Sequence, residues 1–160
     1  MSSIIEKDLN LVNTDLKEHR IIYGMYNELH FHKLINPLFI KTDMFNLLDY
    51  KMIIKDTNIF IELKTRKNKK NTFPTTIIPK HKIDYFNQLK CINYLYLMFG
   101  FIDDHNDRKI IYYYIKYNKS YFENLKISPI FQKDHYQIPI NILLPFKSFN
   151  DEIDELILMN

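Results

Sequence analysis

Glu62 and Lys64 close the segment Asn58-Ile59-Phe60-Ile61-Glu62-Leu63-Lys64, and Asp49 lies thirteen positions before Glu62. In an extended strand successive side chains point to opposite faces, so Glu62 and Lys64 share a face with Phe60, while Ile59, Ile61 and Leu63 line the other. A carboxylate and an amine therefore project together from an otherwise apolar strand. Two carboxylates that meet at one point repel unless a cation lies between them, and hard oxygen ligands with room for water suit Mg²⁺ or Mn²⁺. A lysine beside such an ion can orient or deprotonate a water and offset the charge that builds on a phosphate during in-line displacement. The chemistry these residue types could perform is metal-assisted phosphodiester hydrolysis.

Asp49 joins the pair only if a hairpin brings it there. Asp49-Tyr50-Lys51-Met52-Ile53-Ile54 is a second short apolar run, and Lys55-Asp56-Thr57-Asn58 separates the two as a turn. With Asp56 and Thr57 as the loop residues, Lys55 pairs with Asn58, Asp49 lies opposite Lys64, and Glu62 is its diagonal neighbour. A slip of one residue would send Asp49 through the sheet.

These residues resemble the PD-(D/E)XK nucleases, the restriction-endonuclease-like superfamily, in which an aspartate on one strand is followed by (D/E)-x-K on the next. The resemblance covers about residues 14–117. It implies an α/β fold with an αβββαβ core, in which helices flank a four-stranded mixed sheet, followed by an irregular C-terminal extension over 118–160. It further implies that Asp49, Glu62 and the backbone carbonyl of Leu63 hold Mg²⁺ or Mn²⁺ and that Lys64 is the catalytic lysine. Leu48 stands where the motif's name has proline, a position the family leaves loose. The implied activity is nuclease cleavage of DNA, ahead of RNA, with homodimerisation one way to cut both strands. The alternative is a binding or structural module that keeps the fold without the chemistry.

The surrounding elements should position this site. Ile22, Met25, Tyr26 and Leu29 have the spacing of one helical face within 14–35, with Asp15 and Glu18 as a capping box and Pro37 closing the helix. Glu28 falls at the edge of that stripe, and the resemblance makes it an auxiliary metal ligand; the plainer reading is a solvated boundary residue. His30 and His32, two apart on a helix, point about 200° from each other and read as surface residues. A second helix is expected from Pro79 to about Met98, with Gly100 past its end and Tyr85, Phe86, Leu89, Ile92 and Tyr96 on its buried face. Lys82 and Gln88 on this helix are candidates for the supporting polar residue the family places there. Gln88 is followed by Ile92 where the RecB-like branch carries tyrosine, so that branch is not assigned.

Arg66-Lys67-Asn68-Lys69-Lys70-Asn71 reads as a basic loop beside the site, ordinarily a solvated one, with Arg66, Lys67, Lys69 and Lys70 the candidates to grip a nucleic-acid backbone. The run 109–117 reads as the fourth core strand, and Asp103-Asp104-His105-Asn106-Asp107 before it as a solvated turn. Beyond Asn118, Pro129, Pro139 and Pro145 interrupt short apolar segments, where irregular structure, an edge strand and a short helix are expected, ending in an acidic tail that reads as a terminal amphipathic turn or a contact for another chain.

The 160 residues fit one domain, 1–160, with a single sizeable core. With 12 Tyr and 12 Phe against 2 Gly and no Trp, the composition is biased enough that no single Lys or Asn is informative. A net charge of +3 permits a polyanionic partner without demanding one. The lone Cys91 excludes an intramolecular disulfide. The absence of a signal-peptide pattern or a membrane-spanning apolar run leads us to expect a soluble, intracellular protein with no membrane contact.

Overall fold

A computed structural model describes residues 27–43 and 47–159. A helix, α1, covers 27–32, followed by β1 (Ile40–Lys41), β2 (Tyr50–Ile54) and β3 (Thr57–Lys69). A 3₁₀ turn at Lys70–Thr72 leads to β4 (Thr75–Pro79), α2 (Lys80–Gln88), β5 (Ile92–Ile102) and β6 (Ile110–Lys116). The chain continues through α3 (Lys119–Phe122), β7 (Ile127–Ile130), β8 (Lys133–Pro139), β9 (Leu144–Pro145) and α4 (Phe146–Met159). The expected helix cap at Asp15 and Glu18 and the apolar positions Ile22, Met25 and Tyr26 lie outside the described residues. No helix among the described residues is long and apolar enough to cross a membrane.

The fold is mixed α/β, with a six-stranded sheet in the order β1-β2-β3-β5-β6-β9 and a second sheet in the order β4-β8-β7. The four-stranded sheet expected from the sequence is thus too small. β1, β2 and β3 form an antiparallel meander, and β5 returns parallel to β3 after α2. β5 is a correction to the sequence reading, which continued α2 to Met98. Its eleven residues are apolar on both sides: Leu95, Leu97, Phe99 and Phe101 pack to one face, Tyr96 and Met98 to the other. A strand buried on both faces carries no period-2 signal and cannot be told from a buried helix by periodicity. The chain breaks at Cys91, whose φ of 77° lies in the left-handed region where no helix continues.

The sheet divides the core in two. On one face α1 and α4 cover Tyr50, Met52, Ile59, Ile61, Leu63, Tyr96, Met98, Tyr112 and Tyr114, with Phe31, Phe149 and Ile153 as the helical contributions. On the other, α2, α3 and the second sheet cover Phe60, Leu95, Leu97, Phe99 and Phe101 through Ile83, Phe122, Ile78, Tyr136 and Ile138. The C-terminal extension is therefore ordered structure that closes both faces, and its acidic tail is the outer side of a fourteen-residue helix. In α1, Phe31 is buried whereas Leu29, expected inside, is 64% exposed.

Candidate metal and phosphodiester site

The hairpin forms with the expected parity and a different register. Ile54 pairs with Thr57 and Tyr50 with Ile61, so the two-residue loop is Lys55-Asp56 rather than Asp56-Thr57. Lys55 takes the positive φ, 51°, that a tight turn between twisted strands needs. The shift is two residues, which preserves the faces. The Asp49 N–H donates to the Ile61 carbonyl at 3.0 Å, one residue off the register that pairs Tyr50 with Ile61. The Asp49 side chain comes within hydrogen-bonding reach of the Glu62 carboxylate, and its Oδ2 accepts from the Leu63 N–H at 2.8 Å. The aspartate is held by the backbone of the strand that carries the glutamate.

Glu62 is 1% exposed, and neither carboxylate oxygen accepts a well-aligned hydrogen bond. Lys82 Nζ stands 3.1 Å from Oε2 as an ion pair but is aligned to donate to the Leu47 carbonyl. Burial, and then the Asp49 carboxylate within hydrogen-bonding reach, push the Glu62 carboxyl well above its ordinary range, while Lys64 and Lys82 pull it back. A buried carboxylate that accepts no aligned hydrogen bond costs about 1–3 kcal/mol or more, and the ion pair with Lys82 offsets part of that. An oxygen-rich pair with lysines behind it suits a hard divalent cation, which would take the unused lone pairs and remove the repulsion.

Lys64 projects from β3 on the same face, half-buried, and Lys82 arrives from the first turn of α2. The structure thus brings together Asp49, Glu62, Lys64 and Lys82. Glu28 is placed elsewhere: its carboxylate is ion-paired with Lys41 of β1, and its backbone carbonyl accepts from the Tyr50 hydroxyl on the opposite side of the sheet. Gln88 is exposed at the far end of α2. Six residues from Lys82, it is about 9 Å farther along the helix axis. Among the described residues, no three His, Cys, Asp or Glu side chains gather as a metal cage, so a bound ion would rest on two carboxylates with backbone oxygen and water.

The basic segment is not the loop the sequence suggested. β3 runs on to Lys69 through an irregularity in its pairing with β5, and Arg66 turns inward to donate to the Ile77 carbonyl, tying β3 to β4. Lys67 and Lys69 are exposed, and Lys70 Nζ lies 4.4 Å from the Tyr113 ring centroid.

Sequence reasoning missed His81, Lys133 and His135. β8 pairs with β4 so that His135 faces Pro79, immediately before α2. An open cleft lined by Lys80, His81, Asp84, Lys133 and Asp134 results. The His81 imidazole is held below its ordinary pKa, by desolvation first and then by Lys82, Lys133, Lys64 and His135. This convergence depends on a pairing between segments more than fifty residues apart and has no local signal.

No protein-family model matches the chain, and no curated protein matches it in sequence.

Proposed function

We propose that the protein is a divalent-metal-dependent nuclease of the PD-(D/E)XK type, cleaving phosphodiester bonds in DNA, ahead of RNA. One observation carries the reading: the buried Glu62 carboxylate, which accepts no aligned hydrogen bond and has Lys82 as its ion-pair partner, lies within hydrogen-bonding reach of Asp49 and shares its strand face with Lys64. The order of the elements that build the large sheet supports it, with α1, β1, β2 and β3 followed by β4 of the second sheet, α2 and β5: Asp49 precedes the second strand, the Glu-x-Lys triplet lies on the third, and the next strand of that sheet returns parallel after a helix.

Asp49, Glu62 and the Leu63 carbonyl would hold Mg²⁺ or Mn²⁺. When bound, the ion supplies Lewis acidity at a phosphoryl oxygen and lowers the pKa of a coordinated water. The chain's own residues do the rest. Asp49, fixed by the Leu63 amide, keeps the ligand pair preorganised. Lys64 orients the attacking water and offsets charge on the phosphorane-like transition state. Lys82 balances the Glu62 charge and anchors α2 against the bend that precedes β2 through the Leu47 carbonyl.

Mg²⁺-dependent cleavage of plasmid and single-stranded substrates tests this. Wild type should cut, and Lys64→Ala and Asp49→Asn should each lose roughly a hundredfold or more in rate. Equal cleavage by all three would place the activity elsewhere, and no cleavage by correctly folded wild type would leave a binding module.

A further inference from the structure

Phe131 is 89% exposed, above every other large apolar side chain among the described residues. Ile130 pairs with Lys133, so Phe131 and Gln132 form the two-residue tip of the β7–β8 hairpin. Both have left-handed backbones, with φ of 51° and 64°. Such turns favour Asn-Gly, and a bulky aromatic at φ > 0 is unfavourable. The hairpin accepts this cost and spends it on an aromatic ring held out in water.

The hairpin does not project at random. Immediately after the tip, Lys133 lines the cleft with Lys80, His81, Asp84 and Asp134, and the next inward-facing residue, His135, is buried against the start of α2. Lys80 Nζ is 2.9 Å from the Asp84 carboxylate and neutralises it, leaving Asp134 as the other acid of the cleft. Lys64 and Lys82 of the candidate site are close enough for their charges to act on the His81 imidazole. The cleft therefore adjoins the cations of the candidate site through His81, and β8 carries Lys133 of the cleft close to the exposed ring at the hairpin tip.

We propose that the β7–β8 hairpin grips unpaired nucleic acid, with Phe131 stacking on a splayed base and Lys133 and His81 contacting the neighbouring phosphate. The substrate class is then a single strand, or a junction with an unpaired nucleotide beside the scissile bond. This rests on the nuclease reading of the Asp49–Glu62–Lys64 site. Every base offers a face for stacking, so such a grip adds affinity without sequence preference, whereas duplex bases have both faces occupied.

The chain has no tryptophan, so Phe131→Trp provides a unique fluorophore at an exposed position. It is made in the full chain on a Lys64→Ala background with Mg²⁺ present, and titrated with a short single-stranded oligonucleotide and with the blunt duplex of the same sequence. The single strand should quench it and the duplex should not. Phe131→Ala in the same background should bind the single strand roughly tenfold more weakly. Phe131→Asn, which suits the turn, should melt at a higher temperature and yet bind as weakly as the alanine variant. Equal quenching by duplex, no quenching, or wild-type affinity in Phe131→Ala overturns the proposal. Quenching in a chain whose wild type cuts nothing upholds the grip and sinks the nuclease; cleavage that depends on Lys64 without quenching does the reverse.

Discussion

On one face of β3, Ile59, Ile61 and Leu63 sink into tyrosines, phenylalanines and two helices; on the other, Phe60 is followed by Glu62, Lys64 and Arg66. Each face holds a carboxylate, and their treatment differs. Glu152 of α4 accepts a hydrogen bond from the Tyr114 hydroxyl at 2.6 Å and stays half-buried, so its charge is both paired and partly hydrated. Glu62 is nearly inaccessible, lies against another acid, and has the Lys82 ion pair but no aligned hydrogen bond. The first arrangement is what a fold requires of a polar group at its edge. The second works against the fold, which makes it the better indicator of chemistry.

If the helical face carries the stability, damage there should cost most. Phe149 is fully buried, with ring contacts to Phe39, Tyr96, Tyr114 and Phe146. Phe149→Ala should lower unfolding free energy by about 3–5 kcal/mol in urea titration, a large part of what a domain of this size possesses. A loss under 1 kcal/mol would mean that α4 is not integral to the core.

Tyr114→Phe isolates the paired carboxylate. It removes the bond to Glu152 while keeping the ring, and should cost roughly 1.5 kcal/mol, the low end for a bond to a charged group because water still reaches Glu152. An unchanged midpoint would show that the two carboxylates are equally dispensable to folding, and the contrast between the faces would fail.

What the sequence made legible follows the same division. Parity on a hairpin is a local property, so Asp49, Glu62 and Lys64 could be put on one face from their spacing; the two-residue error in register came from Lys55, a residue with no evident preference for the left-handed turn it adopts. Lys82 stood out because a lysine on a buried stripe needs an anion, and Glu62 is that anion. β5 was illegible because Ile92–Ile102 is apolar on both faces, and Arg66 because its carbonyl partner lies on a strand of the other sheet. His81, Lys133 and His135 meet through the β4–β8 pairing, which the spacing of these residues does not encode.

The smallest effect is also the most discriminating, because it reads Glu62 directly. Its carboxyl is held above the ordinary 4.5, chiefly by burial. The native state therefore retains a proton that the unfolded chain has released, and folding stability is fully present below pH 4.5. It declines as pH rises from there through the elevated native value, by at most about 1.4 kcal/mol per pH unit for one proton. Glu62→Gln cannot release that proton, so its stability should not decline with wild type over this window, and it should exceed wild type by about 1 kcal/mol at the upper end, where wild type buries a charge. Melting temperatures against pH in EDTA would show the two curves separating; with Mg²⁺ the wild-type curve should recover at high pH, where an ionised pair binds the cation, and the Gln curve should move much less. Parallel curves in EDTA would mean that Glu62 is as well accommodated as Glu152 and that the polar face of β3 is held together by its own ion pairs.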